Sequence, residues 1–314
     1  MRIVFMGTPD FAVPILKSLS KVHEILAVVT QPDRPKGRGR GMVFSAVKEY
    51  ALTLNLPILQ PEKIRDTELS GFGADIFVVV AYGQILPMKI LRVPPLGCIN
   101  IHASLLPKYR GAAPMQRAML NGDTVTGVTI QFMDKGIDTG DIILKKTLSI
   151  EPTDRFADLH DKMSALSCEC ILEALELIGE GRAPREPQNH EEATYAPMLT
   201  KEDGLIDWSG PGCRIVNQVR ALDPWPGAYT YWGNQMLKIW DCAVLDRTVD
   251  DCSVNDCSAD AVPAGTVVES GKHLLVKTGD GALLVTELQK QGGKRMKAAD
   301  FLRGSNIEVR MVLG

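Results

Sequence analysis

No run of about 18 apolar residues occurs in the 314-residue chain, so no segment reads as a membrane-spanning helix. A secretory signal is also missing: the apolar run in Met1-Arg2-Ile3-Val4-Phe5-Met6-Gly7 is too short and reads as a first β-strand. Aromatics are only 6%, yet apolar residues at 45% and charged residues at 23% keep the balance of a globular protein. The seven cysteines (Cys98, Cys168, Cys170, Cys213, Cys242, Cys252 and Cys257) are odd in number and scattered, with no CxxC pair and no Cys/His ligand spacing. That pattern predicts reduced thiols in a cytoplasmic protein and no metal site. Gly7 ends a strand pattern, but Pro9 and Ala12 stand where a dinucleotide fingerprint needs its second and third glycines, so Gly7 reads as a packing turn. Net positive charge is lacking too: the formal total of −3 excludes a histone-like polycation and, at face value, argues against nucleic acid as a partner.

Two domains' worth of sequence is present. In the first half, short apolar runs at 3–6, 25–30, 75–81 and 98–102 alternate with helical periodicity at 11–22 and 43–54. Continuous runs such as Ile76-Phe77-Val78-Val79-Val80 suit strands buried on both faces. The prediction is an α/β domain, a Rossmann-like, mostly parallel sheet with helices on both faces. Residues 124–133 and 141–150 extend it antiparallel. Phe156, Leu159, Met163, Leu166, Ile171, Leu172, Leu175 and Ile178 then recur at the spacing of one long amphipathic helix, starting at the Thr153/Asp154 cap signal. Residues 181–205, rich in proline and poor in apolar side chains, read as a linker. Beyond it, a helix over 213–221 and five short β-runs suggest a small OB-like β-barrel. The expected boundaries are 1–180 for a catalytic domain, 181–205 for the linker and 206–314 for the barrel domain.

The charge is unevenly spread. Residues 1–150 carry 18 Lys and Arg against 12 Asp and Glu, a net of +6, whereas residues 151–200 carry 4 against 11, a net of −7. The total therefore hides a basic first half.

The densest polar cluster is Asn100-Ile101-His102-Ala103-Ser104-Leu105-Leu106-Pro107. Side chains alternate along a strand, so Asn100 and His102 share a face where the strand gives way to a loop. In open α/β sheets that end is where ligands bind. An isolated Asn-x-His is equally what a core histidine satisfied by an asparagine looks like. A second cluster, Asp134-Lys135-Gly136-Ile137-Asp138-Thr139-Gly140-Asp141, lies between two strand patterns and lacks calcium-loop spacing. Amide, imidazole and carboxylate together can stabilise an oxyanion and move a proton without a metal or a nucleophilic side chain.

Continuing with Lys108-Tyr109-Arg110-Gly111-Ala112-Ala113-Pro114 and then Asp138-Thr139-Gly140-Asp141, this string resembles the folate-dependent formyltransferases. Gly7-Thr8-Pro9-Asp10-Phe11-Ala12, Thr30-Gln31-Pro32-Asp33-Arg34-Pro35, Ala81-Tyr82-Gly83-Gln84-Ile85-Leu86-Pro87 and Asp223-Pro224-Trp225-Pro226-Gly227-Ala228 are similar to the branch that acts on charged initiator tRNA. The blocks span nearly the whole chain. The resemblance implies 10-formyltetrahydrofolate as formyl donor, methionyl initiator tRNA as acceptor and a tRNA-binding OB-like C-terminal domain. It places the catalytic residues at Asn100, His102 and Asp138. Folate contacts fall on Ser104, Leu105, Leu106 and Pro107, with a pterin-lining loop at Tyr82, Gly83, Gln84, Ile85, Leu86 and Pro87. On that basis the methionyl amine attacks the formyl carbon, and Asn100 and His102 donate to the oxyanion of a tetrahedral intermediate. Asp138 orients and charges His102, and itself or through a water takes the amine proton.

Beside such a site the basic loop Arg34-Pro35-Lys36-Gly37-Arg38-Gly39-Arg40 becomes a candidate arm for the acceptor stem, as Arg34, Lys36, Arg38 and Arg40 can neutralise phosphates. A second basic patch holds Lys290, Lys294, Arg295 and Lys297. The aspartate-rich stretch 241–260 reads as a loop facing away from RNA. His23, His160, His190 and His273 lack ligand partners and read as surface or structural residues. The expected state is a monomer with no membrane contact. A formyltransferase acting on an amino-sugar nucleotide or a glycine ribonucleotide remains an alternative, since the same three residues serve any amine. So does a non-catalytic RNA-binding protein on the same scaffold.

Overall fold

The structure is a computed structural model that describes residues 1–36, 41–245, 262–305 and 307–314. It divides into two compact units, one of Met1–Met115, Val125–Ile150 and Asp158–Pro197, the other of Gln116–Thr124, Glu151–Ala157 and Met198–Gly314.

In chain order the first unit contains strands β1 (Arg2–Gly7) and β2 (Glu24–Val29), a short hairpin of β3 (Arg34–Lys36) and β4 (Gly41–Val43), then β5 (Ile58–Leu59), β6 (Ile76–Val80) and β7 (Cys98–His102). The two-residue β8 (Arg110–Gly111), β9 (Val125–Phe132), β10 (Ile142–Ser149) and the two-residue β11 (Tyr195–Ala196) follow. Seven of these form one sheet in the order β10-β9-β7-β6-β1-β2-β5. The run from β7 to β5 is parallel, and β9 and β10 are added antiparallel at one edge. The central strands are apolar without alternation because neither face meets water: Val4, Met6, Phe77 and Val79 pack in one cluster with Tyr82, Leu86 and Ile90. Ile3, Phe5, Ile76 and Val78 point the other way and are also buried.

Helices α1 (Val13–Leu19), α2 (Ala46–Thr53), α3 (Met88–Leu91), α4 (Pro114–Asn121) and α5 (Phe156–Gly179) lie along this part of the chain. The helix expected from residue 43 starts later. Ser45 is extended and caps α2 by accepting the Lys48 N–H at 3.1 Å, while residues 41–43 form β4. The long amphipathic helix is α5, 24 residues with Leu159, Met163, Ile171, Leu175 and Ile178 buried.

The stretch 181–205, whose composition reads as a linker, contributes to both units. Glu186 bridges Ile142, and β11 pairs with β8, so this polar segment is laced onto the first unit by backbone hydrogen bonds rather than by apolar side chains.

The second unit holds α6 (Gly212–Ala221), β12 (Ala228–Trp232), β13 (Gln235–Val244), β14 (Val267–Glu269), β15 (Leu274–Lys277), β16 (Ala282–Lys290), β17 (Met296–Lys297) and α7 (Ala298–Gly304). Its strands form a curled antiparallel sheet, a half-barrel ordered β12-β13-β16-β15-β14 with β17 on β16. Trp208, Ile215, Leu237, Val276, Leu283 and Phe301 fill its core. No described helix is long and apolar enough to cross a membrane.

Candidate active site

Asn100 and His102 lie two residues apart on β7 and so on one face of the sheet, with Ile99 and Ile101 on the other. The antiparallel register puts Gln131 of β9 opposite Asn100 and Thr129 opposite His102. Opposite residues share a face, so an amide pair, Asn100 and Gln131, stands side by side. Both donate to one oxygen: Gln131 Nε2 to Asp138 Oδ1 at 3.1 Å and Asn100 Nδ2 to the same atom at 3.3 Å. The other carboxylate oxygen accepts the Gly111 N–H at 2.8 Å and lies 3.5 Å from His102 Nδ1. The predicted trio therefore meets beside the middle of β7, with Gln131 as a fourth member that the sequence reading missed.

Backbone geometry makes this possible. Asp138 (φ 54°) and Tyr109 (φ 60°) are both left-handed non-glycine residues, a conformation that costs about 1–2 kcal/mol each. In that conformation the Tyr109 carbonyl accepts His102 Nε2–H at 2.9 Å, and the Asp138 side chain turns toward β7. Gly111 (φ 119°) must be glycine, because a Cβ there would sit 2.8 Å from the Ala196 carbonyl of the paired β11. The Tyr109 carbonyl fixes a hydrogen on Nε2, which leaves Nδ1 as the ring nitrogen facing Asp138. Asn100 Nδ2 and Gln131 Nε2 each keep a second amide hydrogen with no acceptor among the described residues. The expectation that His102 also donates to an oxyanion would require one of its two contacts to exchange.

The segment Ser104, Leu105, Leu106 and Pro107 leaves the end of β7 and is latched by Thr129. Thr129 Oγ1 donates to the Ser104 carbonyl at 2.7 Å and accepts the Leu106 N–H at 3.1 Å. Ser104 Oγ donates to the Lys108 carbonyl at 2.6 Å, and Lys145 Nζ reaches the Leu106 carbonyl at 3.3 Å.

The neighbouring loop leaves the end of β6, parallel to β7. Its side chains mostly anchor it. The Tyr82 carbonyl accepts Thr8 Oγ1 and Gln31 Nε2, Gln84 Oε1 accepts the Ile64 N–H at 2.8 Å, and Leu86 is buried. Burial pushes the Tyr82 hydroxyl up to about 12, and that hydroxyl has no hydrogen-bond partner among the described residues. Ile85 is 75% exposed, and no backbone N–H of residues 83–86 donates to another described residue. A ligand at this loop would therefore meet an apolar side chain and free amide groups, with Tyr82, Gln84 and Leu86 acting as support. Among the described residues no three His, Cys, Asp or Glu converge as metal ligands.

Of the basic residues, Arg34 is exposed on β3 and Lys36 ends that strand, while Arg38 and Arg40 lie outside the described residues, as does most of the aspartate-rich stretch. A polar clamp holds both stems of the β3–β4 hairpin. Lys48 Nζ bonds Asp33 and Gln60, and Gln60 Nε2 bonds Asp33 Oδ1 at 2.7 Å, which keeps the Asp33 carboxyl below the usual range. In the second unit the expected patch is partly neutralised. Glu287 pairs with Lys297 at 2.7 Å and Arg295 at 2.8 Å, and Arg295 also reaches Asp223 at 3.0 Å. Lys290 lies 5.5 Å from the Trp232 ring, and Lys294 is exposed with no carboxylate partner among the described residues.

Two family models match the chain: formyl transferase over residues 1–175 and the formyl transferase C-terminal domain over residues 198–306. The chain is 47% identical over 319 residues to a methionyl-tRNA formyltransferase of Caldanaerobacter subterraneus subsp. tengcongensis, covering all of both chains. It is 49% identical over 320 residues to that of Desulforamulus reducens, covering 100% of this chain and 98% of the relative. Among solved structures, an N-formyltransferase from Helicobacter canadensis in complex with folinic acid and dTDP-3-aminofucose superposes with a TM-score of 0.67. It does so at 19% identity over 90% of this chain and 98% of that one, a likeness of fold.

Proposed function

The chain belongs to the formyl transferase family, among the methionyl-tRNA formyltransferases, and from that premise we propose how its own residues carry the reaction. The enzyme formylates the amino group of methionine on charged initiator tRNA. The observation that carries the assignment of the centre is the convergence of Asn100, His102 and Asp138 within 3.5 Å on one face of the parallel sheet. A 10-formyltetrahydrofolate donor supplies an electrophilic formyl carbon, and the exposed Ile85 with the unpaired amides of residues 83–86 fits a flat heterocycle bearing donors and acceptors. The segment at Ser104, Leu105, Leu106 and Pro107 flanks the same strand end.

Asn100 holds one amide hydrogen on Asp138 and turns the other to the oxygen that gains charge as the amine adds. His102 Nδ1, backed by Asp138, takes the proton shed by that amine and returns it to the nitrogen from which the formyl group departs, so no net proton is consumed. Asp138 accepts from three donors, Asn100, Gln131 and the Gly111 N–H, which suits orientation of its neighbours better than proton uptake from a water. The first unit carries this chemistry and the second contributes tRNA contacts. Arg34, Lys36, Arg38 and Arg40 of the basic loop are assigned to the phosphates of the acceptor stem. In the C-terminal patch, Lys290 and Lys294 contribute more than Arg295 and Lys297, whose charges Glu287 offsets.

The reading is tested by offering the enzyme its formyl donor with either charged initiator methionyl-tRNA or a nucleotide-linked amino sugar. Formyl transfer to the tRNA is expected to dominate, and preferential transfer to the sugar amine would overturn it. Lys290→Ala/Lys294→Ala should lower the slope of log K for tRNA against log salt by about 1.4–1.8, since each phosphate contact contributes roughly 0.7–0.9. The KM for the formyl donor should not move. An unchanged salt slope would remove both lysines from the interface.

A further inference from the structure

Gln188 sits between the two stretches matched by the family models, in the segment whose composition reads as a linker, yet it is only 7% exposed. Its two Nε2 hydrogens are shared among three acceptors, the Gly140 carbonyl at 2.8 Å, the Asp138 carbonyl at 2.9 Å and Gln131 Oε1 at 3.1 Å. Its Oε1 accepts Arg110 Nη2 at 2.6 Å and Nε at 3.2 Å. Arg110 is 3% exposed, reaches His190 Nδ1 at 3.0 Å, and has no carboxylate partner among the described residues.

The direction of every link is determined. Arginine only donates, so the Gln188 oxygen must face it and the Gln188 nitrogen must face the two carbonyls. Gln131 then presents its oxygen to Gln188 and its nitrogen to Asp138 Oδ1. Donors thus point one way from a permanently charged guanidinium to the carboxylate. Such a chain fixes the carboxylate's orientation because no member can reverse without setting two donors face to face.

We propose that Gln188 is a positioning residue for formyl transfer: it links the buried Arg110 guanidinium through Gln131 to Asp138. By gripping the Asp138 and Gly140 carbonyls it also holds the left-handed turn that aims Asp138 at Asn100 and His102. The inference rests on the role given to Asp138 above. A close-packed loop supports it, since a Cβ at Gly140 would lie 1.8 Å from the Phe132 carbonyl, leaving this turn few alternative courses.

The test uses the full-length enzyme with Gln188→Ala and Gln188→Glu, each alone and combined with Asp138→Asn. Gln188→Glu keeps an oxygen on Arg110, indeed a charged one, but places the other oxygen against two carbonyls and Gln131 Oε1. Its thermal midpoint should fall no further than that of Gln188→Ala, because the Arg110 contact is kept, while its donor function is lost. Both single variants should lower kcat about 10- to 100-fold, the scale of a misplaced reacting group, with the KM values for formyl donor and tRNA nearly unchanged. In the Asp138→Asn background neither should lower kcat further, because the effect passes through Asp138. Single variants with wild-type kcat beside an impaired Asp138→Asn would overturn the proposal alone. Losses that multiply with Asp138→Asn would show Gln188 acting only as a support of the fold. A fully active Asp138→Asn enzyme would overturn the reading of Asp138 and the proposal with it.

Discussion

Asn100→Ala is expected to lower kcat about 10²–10³-fold, the usual loss for one oxyanion donor, while the KM values for formyl donor and tRNA stay near wild type. The magnitude follows from the hydrogen-bond ledger. Asn100 Nδ2 has two hydrogens and directs one to Asp138 Oδ1 at 3.3 Å, so alanine removes the other, proposed above to meet the developing charge. The carboxylate keeps its place without Asn100, because the Gly111 N–H at 2.8 Å and Gln131 Nε2 at 3.1 Å still hold it. The loss therefore falls on the chemical step and reads out in single-turnover formyl transfer with both substrates saturating. A kcat within threefold of wild type would remove Asn100 from the chemistry.

Asp138→Asn is expected to lower kcat about 10²–10⁴-fold, the range for loss of a positioned acid–base partner. The substitution is isosteric, yet it cannot be accommodated. With the new NH2 at the Oδ2 position it faces the Gly111 N–H; flipped, it faces the amide nitrogens of Asn100 and Gln131. Gln131 cannot turn to help, since its oxygen is occupied by Gln188 Nε2. The imidazole loses its carboxylate, while the turn at φ 54° keeps only the Gln188 bonds to its backbone carbonyls. Rapid-quench formyl transfer checks this, and a kcat within tenfold of wild type would show that His102 works without Asp138.

The sheet was legible because its strands carry their periodicity locally: an unbroken apolar run such as residues 76–80 has few other uses in a parallel sheet. Asn100 and His102 were legible for the same reason, as two-residue spacing on one strand puts them on one face. Gln131 was not, because a glutamine in the strand Val125–Phe132 acquires meaning only from its register opposite Asn100. Gln188 gave less signal still: a polar residue among prolines and acids, 50 residues from the Asp138 carbonyl it holds, looks like solvated linker. The charge balance of the C-terminal patch was not legible either. Arg295 and Lys297 count as free cations in the sequence, but the pairing of β16 with β17 sets Glu287 directly opposite Lys297 and within reach of Arg295. Local pattern gives elements and faces, whereas register and long-range hydrogen bonds decide which polar side chains share a charge.

The central claim is that formyl transfer takes place at Asn100, His102 and Asp138, and it is tested most directly by a crystal structure of the enzyme with a non-transferable 10-formyl folate analogue. The carbonyl oxygen of the analogue should lie about 3 Å from Asn100 Nδ2, with His102 on the side from which the amine approaches. An analogue whose carbonyl lies away from β7, beyond reach of Asn100, would contradict it.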